Sequence, residues 1–150
     1  MAEKEHTLVR QSPLGQQRLL FLALAALAGT ALAIARLLTP APGGMGTHQQ
    51  LVLPPCTFRV LTGHGCPGCG LTTAFAQLAR GELHLAWQAN PMGVLFYAMT
   101  VISVPVFLFG FWQPQRLSTV LHSTQVLGFL VLLLLGMLGA WAVRLALGMV

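Results

Sequence analysis

Three long apolar stretches alternate with polar segments along this chain of 150 residues. They cover residues 19–38, 92–111 and 126–143, and consist mainly of leucine, alanine, valine, isoleucine and phenylalanine. About 20 apolar residues in a helix cross the hydrocarbon core of a bilayer. A soluble protein can bury one such helix, but three in so short a chain leave too little polar surface to cover them. The pattern therefore predicts an all-α integral membrane protein with three transmembrane helices, forming a single membrane domain over residues 1–150.

The first apolar stretch allows a second interpretation. Arg10 and Arg18 precede it, and the alanines that flank Leu32 and Ile34 near its end, in residues 31–33 and 33–35, resemble the cleavage site of a secretory signal. The run continues to Leu38, however, and is longer than the roughly 7–15 apolar residues of a signal core. We therefore expect an uncleaved membrane anchor.

The main polar segment, residues 39–91, separates the first two spans and is called the cysteine loop below. Prolines and glycines at its start disfavour a helix and predict a flexible spacer. Further on, apolar residues at helical spacing predict short helices over residues 71–78 and 83–89. Gly81 is expected to end the first of them. The tryptophan in the second is expected at the level of the lipid headgroups.

Composition narrows the possible functions. Only 7% of the residues are charged and 55% are hydrophobic. The carboxylates are Glu3, Glu5 and Glu82, so no pair can serve a glycosidase site or a carboxylate cage for magnesium or calcium. The net charge of +5 is scattered singly, which indicates membrane anchors and argues against a nucleic-acid interface. The sequence contains no nucleophile elbow and no phosphate loop after a strand, so it disfavours an enzyme.

The positive charges also set the expected orientation. If the N-terminus is cytoplasmic, Lys and Arg residues are equally numerous on the two sides of the membrane. The charges before the first span outweigh the one at its end, and the first helix usually dominates orientation. We therefore expect a cytoplasmic N-terminus and an external cysteine loop. The cytoplasmic set is Lys4, Arg10, Arg18 and Arg116, and the opposite set is Arg36, Arg59, Arg80 and Arg144.

The cysteine loop contains every cysteine of the chain: Cys56, Cys66 and Cys69. Pro67 pre-sets a turn between the last two, and Gly70 tolerates the backbone conformation in which amides point at the sulfurs. A Cys-Pro-x-Cys-Gly turn of this kind is typical of zinc knuckles. We expect Cys66 and Cys69 to act as one unit.

A tetrahedral zinc site needs four ligands, of which the cysteines supply three. Histidines of the loop are candidates for the fourth, with His64 in the proposed set and His48 and His84 as alternatives. Zinc is the only cofactor that the sequence suggests.

Two other uses of the thiols stay open. Cys66 and Cys69 can form a structural disulfide that fastens an external loop, or they can cycle as a redox pair. No βαβ pattern surrounds them, so the chain is not a thioredoxin domain. The order of preference is a structural disulfide or packing role, then a metal knuckle, then redox activity.

Residues 56–72, with Gly81-Glu82 and Asn90-Pro91 further on, resemble the bacterial domain-of-unknown-function family numbered 2752. Its members are small membrane proteins with a Cys-Pro-x-Cys-Gly segment and an Asn-Pro before the next span. The resemblance implies a multi-pass protein of the bacterial inner membrane but no reaction. Thr73 departs from the family, which usually has arginine there.

We therefore expect an accessory or interaction subunit with a structural cysteine knuckle, or alternatively a membrane-bound metal or thiol-redox protein. Its expected surroundings are the lipid bilayer and other membrane proteins, not nucleic acid. Small residues four apart fit either helix faces at which such partners approach closely or the ordinary alanine and glycine content of a membrane helix. These faces carry Ala25, Gly29 and Ala33 in the first span, and Gly136 and Ala140 in the third.

Overall fold

The computed structural model describes residues 14–121 and 124–148. Within these ranges the secondary structure is helical, without strands, which confirms the all-α prediction. The helices are, in chain order, α1 (Leu14–Leu37), a short 3-10 helix (Thr47–Leu51), α2 (Thr57–Thr62), α3 (Leu71–Leu78), α4 (Leu83–Ala89), α5 (Pro91–Trp112), α6 (Pro114–Leu121) and α7 (Thr124–Ala146). The predictions that involve the N-terminal tail lie outside the described residues: Glu3, Lys4, Glu5 and Arg10.

Three of these helices are long and apolar enough to cross a membrane: α1, α5 and α7, the last over Gln125–Ala146. Their mean hydropathies are 2.1, 2.2 and 2.5, and each contains one predicted apolar stretch almost entirely. The helices extend a few residues beyond the apolar runs, because nothing in the flanking polar residues of α1, such as Gln16 and Arg18, breaks a helix. The prediction of three spans is confirmed.

The first two spans pack against each other, with the start of α1 beside the end of α5. Phe21 stacks on Phe107 with ring centroids 6.5 Å apart. A Cβ at Gly110 would lie 3.0 Å from the Phe21 ring, so the glycine permits this close approach. The predicted small-residue face of α1 is only partly used inside the chain, because Ala25 is buried but Ala33 is exposed.

The third span contacts the rest of the chain in a different way. None of the most apolar window of α7 is buried, against 17% for α1 and 6% for α5. Among the described residues, its side-chain hydrogen bonds to the cysteine loop come from Trp141 and Arg144 near its C-terminal end. The position of α7 is therefore set mainly at one end.

The cysteine loop folds into short helices, of which α3 and α4 have the predicted bounds. Gly81 ends the first, as predicted, in a left-handed conformation with φ of 81°. Its amide donates to the Leu78 carbonyl at 2.9 Å, and the Glu82 amide donates to the Gln77 carbonyl at 3.0 Å. This pair of bonds is the Schellman pattern, which satisfies carbonyls at the helix end. Ala74, Ala86 and Ala89 form a small core where α3 and α4 meet.

The start of the loop differs in part from its prediction. Residues 39–46 are not helical, as expected, but they are held by side chains rather than forming a free spacer. The Ala41 amide donates to Thr47 Oγ1 at 2.9 Å. The Gln50 side chain bonds both the amide and the carbonyl of Thr39. Hydrogen bonds of this kind were not visible in a proline- and glycine-rich pattern.

Candidate metal centre

The three cysteines converge in space. The sulfurs of Cys56, Cys66 and Cys69, called the cysteine triad below, all lie within 4.8 Å of one another. The Cys66 thiol donates to Cys69 Sγ at 3.4 Å, and all three residues are free thiols. Sulfur atoms around a tetrahedral zinc ion stand about 3.8 Å apart, because each zinc–sulfur bond is about 2.3 Å long. The spacing of the triad therefore fits one metal ion.

A tight turn builds the Cys66–Cys69 half of the triad. The Cys69 amide donates to the Cys66 carbonyl at 3.0 Å, which closes the turn around Pro67. Gly70 follows with φ of 88°, a left-handed conformation that glycine adopts without a Cβ clash. A Cβ at Gly70 would also overlap the carbonyl oxygen of Ala89. Both requirements explain why the turn needs glycine at this position.

Asn90 fastens this turn to the second span. Its Nδ2 donates to the Cys69 carbonyl at 3.1 Å and to the Pro67 carbonyl at 3.3 Å. Its Oδ1 accepts from the amides of Met92 at 3.0 Å and Gly93 at 3.3 Å, which caps α5. The residue is only 2% exposed. One amide side chain therefore joins the knuckle to the helix. The Asn-Pro dipeptide was a sequence signal for such a cap, since proline is favoured at the first helical position.

The environments of Cys56 and Cys69 differ electrostatically. Cys56 precedes α2, and the backbone amide of Arg59, as the largest cause, lowers the pKa of its thiol to about 7. Burial raises the pKa of the Cys69 thiol to about 12, and its hydrogen bonds to the other two thiols act in the same direction. Cys56 is therefore the thiol of the two that ionises more readily, and Cys69 is the more inert.

The end of α7 covers the knuckle from the third span. Trp141 Nε1 donates to the Gly65 carbonyl at 2.8 Å, and the indole meets Phe58 edge to face with centroids 6.0 Å apart. Arg144 Nη2 donates to the Ala89 carbonyl at 2.9 Å. From the sequence, Arg144 was considered only as one of the charges that set the orientation, and no contact was predicted for it. An arginine directly after an apolar run, where a helix can extend past the run, was the available signal for such a contact.

A cavity of about 500 Å³ opens beside the triad. All three cysteines line it, together with His48 and Thr73 among other residues. Its walls come from the 3-10 helix, α2 and the turn before α3. The cavity is large enough to admit a small ligand or a side chain to the sulfurs.

The histidines are placed differently with respect to the triad. His64 is exposed, its Nδ1 lies 2.8 Å from the Thr62 carbonyl, and it does not belong to the group of mutually close ligand atoms. His84 lies on α4, with Nε2 3.0 Å from the Gln88 side chain. His48 is the histidine that shares the cavity with the triad among the described residues. Its Nε2 lies 3.2 Å from the Pro54 carbonyl.

Thr73, which stands where the resembling family usually has arginine, is fully buried. Its Oγ1 lies 2.8 Å from Thr47 Oγ1, and either hydroxyl can donate. This bond ties the 3-10 helix to α3 and shapes one wall of the cavity. The position therefore serves a neutral structural contact in this chain.

The comparison with protein families finds one match at this site. Residues 56–104 match the model of the family described as "Protein of unknown function (DUF2752)". The resemblance is therefore confirmed for this segment. It spans the cysteine triad, α2 to α4 and the first part of α5. The comparisons with curated proteins and with solved structures found no match.

Proposed function

We propose that the protein is a membrane accessory or interaction protein whose cysteine loop binds a thiophilic metal ion of the zinc type. The proposed ligands are Cys56, Cys66 and Cys69. The observation that carries the proposal is the mutual distance of their sulfurs, all within 4.8 Å. A disulfide needs two sulfurs and leaves the third without a role, whereas a metal site uses all three.

The chemistry of the donor set supports zinc or a similarly thiophilic ion. Each thiol releases its proton on binding, so a divalent ion is exchanged for three protons and is held by three thiolates. Soft thiolates select such ions over magnesium or calcium, which prefer oxygen ligands. His48 is a better candidate for a fourth protein ligand than His64, because His48 lines the same cavity as the sulfurs.

An interaction role is supported by the surface beside the triad. The segment before α2 and α2 itself expose apolar side chains, although they lie in the most polar part of the chain. Exposed apolar groups in such a position are typical of a surface that meets a membrane or a partner protein. The most exposed of them are Val52, Leu53, Val60 and Leu61.

Metal content tests the proposal directly. The full chain, purified in detergent, should bind about one zinc ion per chain, and cobalt in its place should give sulfur-to-cobalt charge-transfer absorption. Changing any one triad cysteine to serine should lower zinc content about tenfold or more, and the Cys66→Ser and Cys69→Ser changes together should cost little more than either alone. His84→Ala is the matched control, because His84 is bonded to Gln88 on α4.

Two results would count against the proposal. One is a wild-type chain that binds no zinc or cobalt under reducing conditions. The other is unchanged metal content after Cys56→Ser, which would mean that Cys56 is not a ligand and that only Cys66 and Cys69 belong to the site. His48→Ala and His64→Ala extend the series, and we expect the larger loss of affinity from His48→Ala.

The 3.4 Å separation of Cys66 and Cys69 favours thiol exchange as a second candidate function. In that reaction the pair would form a disulfide while a partner's disulfide is reduced to two thiols. Thiol counting before and after treatment with a disulfide such as oxidised glutathione separates the two functions. If two thiols are lost even when zinc is bound, thiol exchange is favoured.

We also propose that the cysteine loop faces the outside of a bacterial inner membrane. The basis remains the charge before the first span. A topology reporter inserted within residues 39–46 should be active only outside the cytoplasm, and cytoplasmic activity alone would reverse the orientation.

A further inference from the structure

The last turn of α7 carries a buried arginine. Arg144 is 8% exposed, and its Nη2 donates to the Ala89 carbonyl at 2.9 Å. Its Nε is buried and has no hydrogen-bond partner among the described residues. Burying a guanidinium costs free energy unless an opposite charge compensates it. The neutral carbonyl of Ala89 does not supply that charge.

No carboxylate in the described part of the chain pairs with this arginine. Glu82 is the sole acidic residue there, and it is exposed at the start of α4. The sequence of α7 itself contains no acidic residue. Charged residues in membrane helices are rare and usually pair with a functional group. We therefore look for a negative charge that balances Arg144 in a group close to its guanidinium.

The candidate for that group is the cysteine triad. The guanidinium bonds the piece of backbone that lies against Gly70, the residue after Cys69. The Ala89 carbonyl accepts a hydrogen bond from Arg144. The same carbonyl oxygen lies so close to Gly70 that a Cβ on Gly70 would overlap it. Cys69, next to Gly70, is itself 8% exposed. A single segment of backbone therefore separates the arginine from the knuckle.

Resting on the proposed metal site, we infer that Arg144 is the counter-charge of the metal-loaded triad and couples metal binding to the docking of α7. Three thiolates around a divalent ion leave one net negative charge, which one guanidinium balances. Burial keeps solvent from screening this attraction. Arg144 is thus a positioning residue that acts on the loaded site without being a ligand.

If Arg144 only improved metal binding, α7 would not respond to the metal. The proposed counter-charge role instead makes the docking of α7 depend on metal binding. The apolar window of this helix is 0% buried inside the chain, so its packing against the other spans does little to hold it. Within the described ranges, its hydrogen bonds to the loop are Trp141 to Gly65 and Arg144 to Ala89. The full negative charge of the metal-loaded triad strengthens the second attachment, and the metal-free triad holds less negative charge because most of its thiols keep their protons.

Zinc affinity of the full chain in detergent, measured against a chromophoric chelator, tests the inference. Arg144→Gln keeps a donor for the Ala89 carbonyl but removes the charge, and it should weaken zinc binding about tenfold or more. Arg144→Lys keeps the charge and should stay within about threefold of the wild type. Arg36→Gln is the matched control, since Arg36 lies exposed in the last turn of α1, and it should leave the affinity unchanged.

Hydrogen exchange of the wild-type chain adds a readout that needs no variant. Zinc should slow exchange of the amides in the last turn of α7, around Trp141 and Arg144, by about tenfold. Trp141→Phe weakens the other attachment without changing any charge, and because coupling is reciprocal it should weaken zinc binding, but less than Arg144→Gln does.

The outcomes separate this inference from the proposed function. Zinc binding that is equally tight in the wild type and in Arg144→Gln would overturn the inference and leave the metal site standing. Equal losses in Arg144→Gln and Arg144→Lys would indicate a packing role and also overturn it, as would exchange in α7 that does not respond to zinc. A wild-type chain that binds no zinc would refute both.

Discussion

The cysteine loop and the membrane spans keep their shape by different means. In the loop, buried polar side chains each bond particular backbone atoms, as Asn90 does with the Cys69 carbonyl and the amides of Met92 and Gly93. Along α7, apolar side chains face outward, and Leu132 is 66% exposed. A lipid solvent accepts any apolar surface, whereas a polar knuckle requires defined partners for each buried donor and acceptor. Single substitutions should therefore have large effects in the loop and small effects along the spans.

The largest expected effect concerns reactivity in the metal-free chain. Only the thiolate of a cysteine attacks an alkylating reagent. A pKa lowered to about 7 makes Cys56 half thiolate at that pH, whereas a pKa raised to about 12 leaves Cys69 almost entirely thiol. A thiolate of lower pKa is intrinsically less nucleophilic, which reduces the difference, so we expect Cys56 to react about a hundredfold faster at pH 7.

Mass spectrometry after timed alkylation with iodoacetamide measures the two rates. The rate at Cys56 should rise with pH and level off above about pH 8, because the thiolate is then fully formed. In the unfolded chain the two cysteines should react alike. Equal rates in the folded chain would mean that the loop does not distinguish its thiols.

Gly70→Ala should have the largest effect on stability. The added methyl would overlap the Ala89 carbonyl, and the backbone at this position has φ of 88°. Backbone atoms cannot move aside cheaply, so we expect a loss of about 3 kcal/mol or more in free energy of unfolding, together with loss of zinc binding. Thermal unfolding in detergent and metal content measure both.

Gly63→Ala is the matched control for this change. Gly63 also has a positive φ, 76°, but a Cβ there would meet nothing within 4 Å. Its substitution should cost only the backbone strain, about 1–2 kcal/mol. Equal costs at the two glycines would show that the close approach of Gly70 to Ala89 is unimportant.

Asn90→Ala should come next in size. The change removes the cap of α5 and both donors to the knuckle from a side chain that is 2% exposed. We expect a loss of about 2–4 kcal/mol, since a cap and buried hydrogen bonds are lost together. Asn90→Ser keeps an acceptor for the cap alone and should recover about 1 kcal/mol. If Asn90→Ser recovers no stability, the stabilising role of Asn90 lies entirely in its hydrogen bonds to the knuckle.

Leu132→Ala, on the exposed face of α7, should have the smallest effect. Because its side chain is 66% exposed, we expect a change within about 0.5 kcal/mol in the unfolding of the detergent-solubilised chain. Phe21→Ala is the contrasting variant, since Phe21 is 3% exposed and packs between α1 and α5. A Leu132 effect as large as that of Phe21 would indicate that α7 has a partner surface along its length.

The amino-acid sequence by itself determined the features that depend on neighbouring residues. Hydropathy over about 20 residues is enough to define a span, because a helix of that length with apolar side chains is stable in the bilayer wherever it lies in the chain. The bounds of α3 and α4 also followed from local pattern, with Gly81 ending the first through its left-handed conformation. Helices α2 and α6 were missed: α2 has only six residues, and α6 is as long as α3 but contains fewer apolar residues to mark a helical face.

Only the tertiary structure decided which distant groups meet at the site. Trp141 bonds Gly65 across 76 positions of sequence, and Arg144 bonds Ala89 across 55. No local propensity encodes such pairs, because they arise when one helix end docks on a folded loop. The same holds for the approach of Cys56 to the Cys66–Cys69 turn, which converts a two-thiol motif into three sulfurs within 4.8 Å. The residue types were readable along the chain, but their meeting depended on the packing of α7 and the loop.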